Sequence, residues 1–195
     1  MAAPVEKRIP SREECLELME QYGMLENITT HSLEVARIAL LLSKELNKRG
    51  QQVDVDLVGA ASLLHDLAKT ECLRTREDHA RSGYLLLKSI GYERIGEIVA
   101  QHIWISKQGD PHRVSEEEIV NYADKRIRHD RIVSLRERFI DLRNRYGKGP
   151  DAIGYLETLE RGSLEIEKKI FSILERDPRD LEGLQEHPVV KEDRF

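Results

Sequence analysis

The chain has 195 residues, a length that suits one domain with a short appendage and allows a sizeable hydrophobic core. Charged residues make up 34% of it and aromatic residues 5%, a composition that favours helices over strands. The net charge of -5 gives no reason to expect a polyanion-binding surface, so we expect no nucleic-acid partner. No apolar run is long enough to span a membrane, and the two cysteines follow no paired pattern; we therefore expect a cytoplasmic protein with no membrane partner.

Helical periodicity and capping signals predict five helices in the first half of the chain. The first opens at a capping box formed by Ser11 and Glu14 and ends before Gly23. The third is predicted to open at Asp54 or Asp56. The patterns place these helices at about residues 11–22, 29–49, 54–68, 75–90 and 92–104.

The second half begins with a loop that contains Gly109 and Pro111. A capping box of Ser115 and Glu118 then opens a long predicted helix, residues 116–145, and the stretch YGKGP ends it. A last helix is predicted over residues 151–175, with a break or kink at Gly162. No convincing β-alternation occurs. The prediction is one all-α domain, in which a helix within residues 1–24 packs on a core of residues 25–147, followed by a C-terminal helix and charged tail in residues 148–195.

Histidines fall on the apolar faces of four different predicted helices. They are His31, His65, His79 and His102. Asp66 follows His65 directly, and Asp124 is in phase with the apolar residues of the long helix. A single such histidine is more often a hydrogen-bonded core residue. Four inward imidazoles and two inward carboxylates, however, need a common partner, because an unpaired buried carboxylate is costly. These side chains are usual ligands of Fe, Mn, Co, Ni or Zn, so the pattern predicts a metal site.

The order of these residues, together with the sequences around them, resembles the HD-domain superfamily of metal-dependent phosphohydrolases. Four stretches carry the resemblance: HSLEVARIALLLSKEL, LLHDLAK, DHARSGYLLLKSIGY and IVNYADKRI. They look like the first ligand helix, the signature, the third block and the helix with the last aspartate of that family. The resemblance covers about residues 28–140 and implies an HD-domain helical bundle over residues 25–147 with a C-terminal helical extension.

The resemblance also implies a ligand set. The positions that match the ligands of one metal are His31, His65, Asp66 and Asp124. In dinuclear members of the family, the positions matching His79 and His102 hold a second metal, and the signature aspartate bridges the two. Because every one of these positions is present, we expect two divalent transition-metal ions per chain, Fe or Mn.

Two departures from the family pattern bear on the substrate. The common signature has Ile-Gly where this chain has Leu67-Ala68, which is a mild change. Many cyclic-dinucleotide phosphodiesterases of the superfamily carry a His pair followed by Gly-Tyr-Pro, whereas this chain has Gln101-His102 followed by IWISKQGDPHR. This difference argues against a cyclic-dinucleotide phosphodiesterase. The chain looks more like the dinuclear group that cleaves dinucleoside polyphosphates, although that match does not identify the substrate.

The expected activity is hydrolysis, by a metal-bound hydroxide, of a phosphate ester or anhydride of a nucleotide or other small phosphorylated molecule. Asp66 is expected to bridge the metals, and Lys69 shares its helical face as the second catalytic candidate, through a phosphate contact. Arg128 and Arg131 follow Asp124 by one and two turns of the predicted helix and are further candidates for phosphate contacts. A favourable position near a helix end for Lys69, and an ordinary basic surface for the arginines, are the alternative explanations.

The loop after His102 adds two more candidates for substrate binding. Lys107 and His112 could cover the substrate, with His112 as proton donor to the leaving group. An exposed loop histidine without a role is the alternative.

Two other functions stay open. A mixed-valence diiron oxygenase of the HD fold would use the same ligands, and a non-catalytic HD regulatory or binding module would need none of them. Leu164, Ile166, Ile170 and Ile173 of the last helix need burial, so a homodimer interface is one alternative for that helix.

Overall fold

Helices account for nearly all the regular structure in residues 8–105 and 109–186, which are the residues that the computed structural model describes. The helices of this part are α1 Arg12–Gln21, α2 Glu26–Lys48, α3 Val55–Leu64, α4 Lys69–Thr75, α5 His79–Ser89, α6 Glu93–Val99, α7 Glu116–Arg126, α8 Leu135–Tyr146 and α9 Pro150–Leu174. The strands there are β1 Ile127–Arg128 and β2 Arg131–Ile132, and a 3₁₀ helix spans Pro178–Glu186. The all-α prediction is therefore confirmed.

The core is built around α2, which packs against both α3 and α7. Its predicted apolar stripe is fully buried, from Val35 to Leu46. The α3 helix contains the small residues Gly59, Ala60 and Ala61, all of them buried. His31, near the start of α2, lies beside the end of α3, with its ring centroid 5.4 Å from that of His65.

The end of α3 differs from the prediction. The helix stops at Leu64, and residues 65–68 form a turn instead of continuing the helix. In this turn the Leu67 amide donates to the Leu64 carbonyl, and the Lys69 amide donates to the Asp66 carbonyl, which are three-residue bonds of the 3₁₀ type. His65 and Asp66, which begin this turn, are both buried, at 0% and 1% exposure.

The fifth predicted helix is also shorter than expected. The α6 helix ends at Val99, and His102 lies in the turn that follows, with its amide donating to the Val99 carbonyl. By contrast, the predicted break at Gly162 is wrong, since α9 continues without interruption through it.

The long helix predicted over residues 116–145 is two helices with a β-hairpin between them. The α7 helix ends at Arg126, and the hairpin pairs Arg128 with Arg131. His129, at the hairpin turn, adopts a φ of 61°. A third capping box, in which Ser134 and Glu137 exchange hydrogen bonds, opens α8. The pattern Ser-x-x-Glu at this position is visible in the sequence and is the signal that the single-helix prediction overlooked.

The α9 helix packs on α7 and α8 and completes the core. Ile166 and Ile170 are buried in this packing, whereas Leu164 remains 49% exposed. The apolar stripe that suggested a dimer interface is thus largely covered by the chain itself. Among the described residues, none of the helices combines the length and the apolar character that a bilayer span requires.

Candidate metal centre

All the histidines and aspartates predicted as ligands converge between α2, α5 and α7. His31 comes from α2, His65 and Asp66 from the turn after α3, His79 from the first position of α5, His102 from the turn after α6, and Asp124 from α7. Their imidazole rings form a continuous row. Ring centroids are 5.4 Å apart for His31 and His65, 5.1 Å for His65 and His102, and 5.1 Å for His79 and His102.

Asp66 stands between two groups of nitrogen atoms. Its Oδ1 atom lies 3.3 Å from His79 Nε2 and 3.6 Å from His102 Nε2. Its Oδ2 atom lies 3.3 Å from His65 Nε2 and accepts a 2.6 Å hydrogen bond from Lys69 Nζ. Each carboxylate oxygen therefore faces a different set of imidazole nitrogens.

Backbone carbonyls orient the buried imidazoles. The Nδ1 atom of His65 donates to the Ser62 carbonyl at 2.7 Å, and that of His102 donates to the Val99 carbonyl at 2.7 Å. Because a carbonyl can only accept, the Nδ1 atom carries a proton in each ring, and the Nε2 atom faces the centre. Burial lowers the pKa of His102 to about 3, so this ring is neutral.

Asp124 and His31 form the other side of the centre. The His31 Nδ1 atom donates to the carbonyl of His129 at 3.2 Å, and its Nε2 atom lies 3.0 Å from Asp124 Oδ1. The hairpin turn at His129 thus fixes the ring of His31. The Oδ1 atom of Asp124 also lies 3.7 Å from His65 Nε2.

The donor atoms fit a metal. Two sets of three residues each bring one donor atom per residue within 4.8 Å of the others, namely His31, His65 and Asp124, and His65, Asp66 and His102. Two buried atoms at the centre, His65 Nε2 and Asp66 Oδ1, have no hydrogen-bond partner among the described residues. Buried polar atoms without partners are costly, and a cation bound by both atoms would remove that cost.

Two lysines hold the carboxylates in place. Lys69 donates to Asp66, and Lys125 Nζ donates to Asp124 Oδ2 at 3.1 Å and to the His102 carbonyl at 2.5 Å. Burial alone would raise the pKa of the Asp66 carboxyl, but His65, His79 and Lys69 together hold it well below its usual value. Burial likewise opposes the charge of Lys69, yet Asp66 and Asp124 outweigh it and raise the lysine pKa. Asp66 and Lys69 are therefore both charged.

A cavity of about 420 Å³ opens over this centre. One side is formed by residues of the centre other than the fully buried His65, namely His31, Asp66, Lys69, His79, His102, Asp124 and Lys125. The opposite side is formed by residues of α8 and α9, namely Arg138, Leu142, Arg145, Tyr146, Ala152, Tyr155, Leu156 and Leu159. The centre thus lies at the base of a pocket with one ionic and one largely apolar wall.

The structure separates the predicted substrate-binding residues. Lys69 lines the cavity. Arg128 and Arg131 lie in the β-hairpin, away from the cavity wall, because the helix that would have brought them into phase with Asp124 ends at Arg126. His112 is exposed, its carbonyl accepts a hydrogen bond from Gln51, and it does not line the cavity. Lys107 lies outside the described residues.

Lys125 and Arg138 are among the cavity residues that sequence reasoning missed. Lys125 is 4% exposed, and its position next to Asp124 in the sequence could have pointed to it. Arg138 reaches the cavity because the hairpin changes the direction of the chain before α8. No local sequence pattern predicts this position.

Comparison with known proteins gives several partial relatives. A tRNA (cytidine(56)-2'-O)-methyltransferase of Thermoplasma volcanium is 29% identical over 145 residues, which are 67% of this chain and 40% of that protein. An uncharacterized protein of Methanocaldococcus jannaschii is 30% identical over 142 residues, 66% of this chain and 82% of that protein. A ribonuclease Y of Acetivibrio thermocellus is 36% identical over 84 residues, 43% of this chain and 14% of that protein. No solved structure matches significantly.

The family comparison covers the whole candidate centre. The model of the HD domain matches residues 28–138, which is more than half of the chain and includes every predicted ligand. The match agrees with the helical bundle and with the convergence of histidines and aspartates in its core. The chain therefore belongs to the HD domain family.

Proposed function

We propose that this protein is a metal-dependent phosphohydrolase whose centre binds two divalent metal ions, iron or manganese. The observation that carries the proposal is the placement of Asp66, whose two carboxylate oxygens face separate sets of imidazole nitrogens. The proposed ligands are His31, His65 and Asp124 on one side and His79 and His102 on the other, with Asp66 between them. When bound, such metal ions supply Lewis acidity to phosphoryl oxygens and lower the pKa of a water molecule.

The chain's own residues prepare this site. The carbonyls of Ser62 and Val99 hold the rings of His65 and His102 in one orientation. These rings therefore need not reorient in order to bind a metal ion. Lys69 has a catalytic role in this proposal, because its ammonium group stays charged beside Asp66 and lines the cavity, where it can contact a phosphate.

The proposed substrate is a phosphate ester or anhydride of a nucleotide or another small molecule. The cavity volume of about 420 Å³ lies within the usual range for small-molecule sites. The net charge of -5 gives no basis for the extended basic surface that polynucleotide binding uses.

A second candidate is cleavage of an RNA phosphodiester. The match to a ribonuclease Y favours it, since the matched part is 36% identical. The same metal chemistry would serve both substrates, so the assay must include RNA.

The test combines metal content with phosphate release. We expect about two equivalents of iron or manganese per wild-type chain by plasma mass spectrometry, and a large loss in Asp66→Ala. The reconstituted wild type should release phosphate from nucleotides, while His112→Ala, at an exposed loop position, should retain both properties. A wild type that binds no metal after reconstitution would overturn the proposal. Oxygen consumption without phosphate release would instead identify the diiron oxygenase, and cleavage of RNA alone would identify the nuclease.

A further inference from the structure

The Arg138 side chain is largely buried, and the carboxylate recorded beside it in the described part of the chain lies beyond hydrogen-bond distance. Its side chain is 12% exposed, and it lines the cavity over the centre. The Nε atom is buried and has no hydrogen-bond partner among the described residues. The nearest carboxylate recorded for its guanidinium is Asp141 on the same helix, at 3.8 Å, which is longer than a hydrogen bond.

The carboxylates of the centre are already occupied by other cations. Asp66 accepts a hydrogen bond from Lys69, and Asp124 accepts one from Lys125. Lys69, Lys125 and Arg138 line the same cavity, as does Arg145. Among the described residues that line it, the carboxylates are those of Asp66 and Asp124, so the basic side chains outnumber the acidic ones.

A largely buried guanidinium is unfavourable unless an anion pairs with it and balances its charge. The guanidinium group offers parallel N–H donors in a plane, and this geometry matches two oxygens of one phosphate. Lysine, a single rotatable point charge, lacks this match. The features of Arg138 therefore suit an oxyanion, and the proposed phosphohydrolase function makes a phosphate the expected one.

We propose that Arg138 binds the phosphate group of the substrate from the side opposite the metal ligands. This proposal rests on the phosphohydrolase function proposed above and adds a recognition residue and a substrate orientation to it. The apolar residues Leu142, Leu156 and Leu159 line the same cavity, and Tyr155 joins them. With the phosphate held between Arg138 and the centre, the organic part of the ester lies against this apolar wall. The substrate class is thus a phosphate ester that carries an apolar or aromatic group.

The aromatic character of the wall extends beyond the cavity. Tyr155 stacks on Trp104, with ring centroids 6.4 Å apart and an interplanar angle of 29°. Both rings are about half exposed, at 50% and 43%. A flat aromatic group on the substrate can continue this stack.

The experiment measures binding of inorganic phosphate to the metal-loaded protein by titration calorimetry. Arg138→Gln should bind phosphate at least roughly tenfold more weakly than the wild type, because charge-assisted hydrogen bonds are lost. Arg138→Lys should recover only part of the loss. Arg136→Gln is the matched control, since this arginine lies on the same helix but is exposed and does not line the cavity.

Metal content is measured on every variant, so that failure of this proposal is distinct from failure of the proposed function. Weaker phosphate binding by Arg138→Gln at unchanged metal content supports the role of Arg138, even if no tested ester is hydrolysed. Equal phosphate affinity in Arg138→Gln, Arg136→Gln and wild type would overturn it while leaving the phosphohydrolase standing. If Arg138→Gln does not fold, the decision rests on Arg138→Lys, for which wild-type phosphate affinity overturns the proposal.

Discussion

The Nε2 atom of His102 lies 3.2 Å from the Nε2 atom of His79. The ring of His102 is fixed by its hydrogen bond to the Val99 carbonyl, so its lone pair points at His79. His79 is the more accessible of the two, with a side chain that is 25% exposed against 2% for His102. Two imidazole nitrogens at this distance suit a shared cation, and the accessible one is the ligand that can be removed with least disturbance to the core.

Replacing His79 should therefore remove one metal and leave the other. In His79→Ala we expect the metal content to fall from about two equivalents to about one, because His31, His65 and Asp124 remain together. Plasma mass spectrometry on the purified variant provides the measurement, with His112→Ala as the control. Retention of both equivalents in His79→Ala would show that His79 is not a ligand.

Metal binding should stabilise the fold. A ligand at about 100 times its dissociation constant adds roughly 2.7 kcal/mol, which corresponds to a rise in Tm of about 5–10 °C for a chain of this size. We expect this rise when manganese is added to metal-free wild type, and no rise in Asp66→Ala. Scanning fluorimetry measures it. Calcium, which prefers all-oxygen sites, is the control ion, and an equal shift with calcium would contradict the assignment of a histidine-rich site.

The contact between α5 and α6 should control the spacing of His79 and His102. A Cβ atom at Gly96 would lie 3.0 Å from the Tyr84 carbonyl oxygen, which belongs to the backbone of α5 and cannot move aside cheaply. Gly96→Ala should therefore cost about 1–3 kcal/mol in the free energy of unfolding and displace His79 from His102. Urea denaturation and metal analysis report the two effects.

Gly154→Ala is the matched control for this substitution. A Cβ atom there meets nothing within 4 Å, and the residue lies within α9. Alanine should be neutral or stabilising by up to about 1 kcal/mol, since it is the better helix former. A Gly96→Ala protein as stable as the wild type, with full metal content, would show that the two helices tolerate a wider separation.

Arg126 should be necessary for the attachment of the C-terminal segment. It is 1% exposed and donates to the carbonyls of Val133 and Pro178 and to the Tyr122 hydroxyl. Arg126→Met removes these bonds and should cost about 3–5 kcal/mol, because it leaves buried partners unsatisfied. Limited proteolysis should then cleave the segment that follows Pro178 faster in this variant than in the wild type.

The exposed Arg179 provides the control for that experiment. Its partner, Asp177, is a near neighbour in the chain, so Arg179→Gln should leave both stability and the cleavage rate unchanged. Unchanged proteolysis of Arg126→Met would mean that the 3₁₀ helix is held by other contacts, such as those of buried Leu181.

Helical phase was sufficient to predict that the histidines and aspartates face one core. It failed where the backbone leaves the α-helix, at residues 65–68 and at the hairpin. In both places the backbone forms a tight turn that the local residue types do not strongly favour, so the turn depends on tertiary packing. Even so, the capping box of Ser134 and Glu137 was a local signal for the second break.

The position of Arg138 was beyond sequence reasoning for a different reason. Its place in the cavity depends on how α8 lies over the centre after the hairpin, and no spacing of residues in the sequence predicts this.

The division into residues 1–24, 25–147 and 148–195 stays a prediction. Cys15 of α1 and Ile170 of α9 belong to the same buried cluster as the central helices.

The two walls of the cavity come from separate parts of the chain. The proposed ligands lie between residues 31 and 124, whereas the apolar wall lies beyond residue 138, where the family match ends. Substitutions in α8 and α9 can therefore alter the shape offered to a substrate without disturbing the ligands. Relatives that keep the same centre are free to diverge in the compounds they accept, and the sequence after residue 138 is where such divergence should be sought.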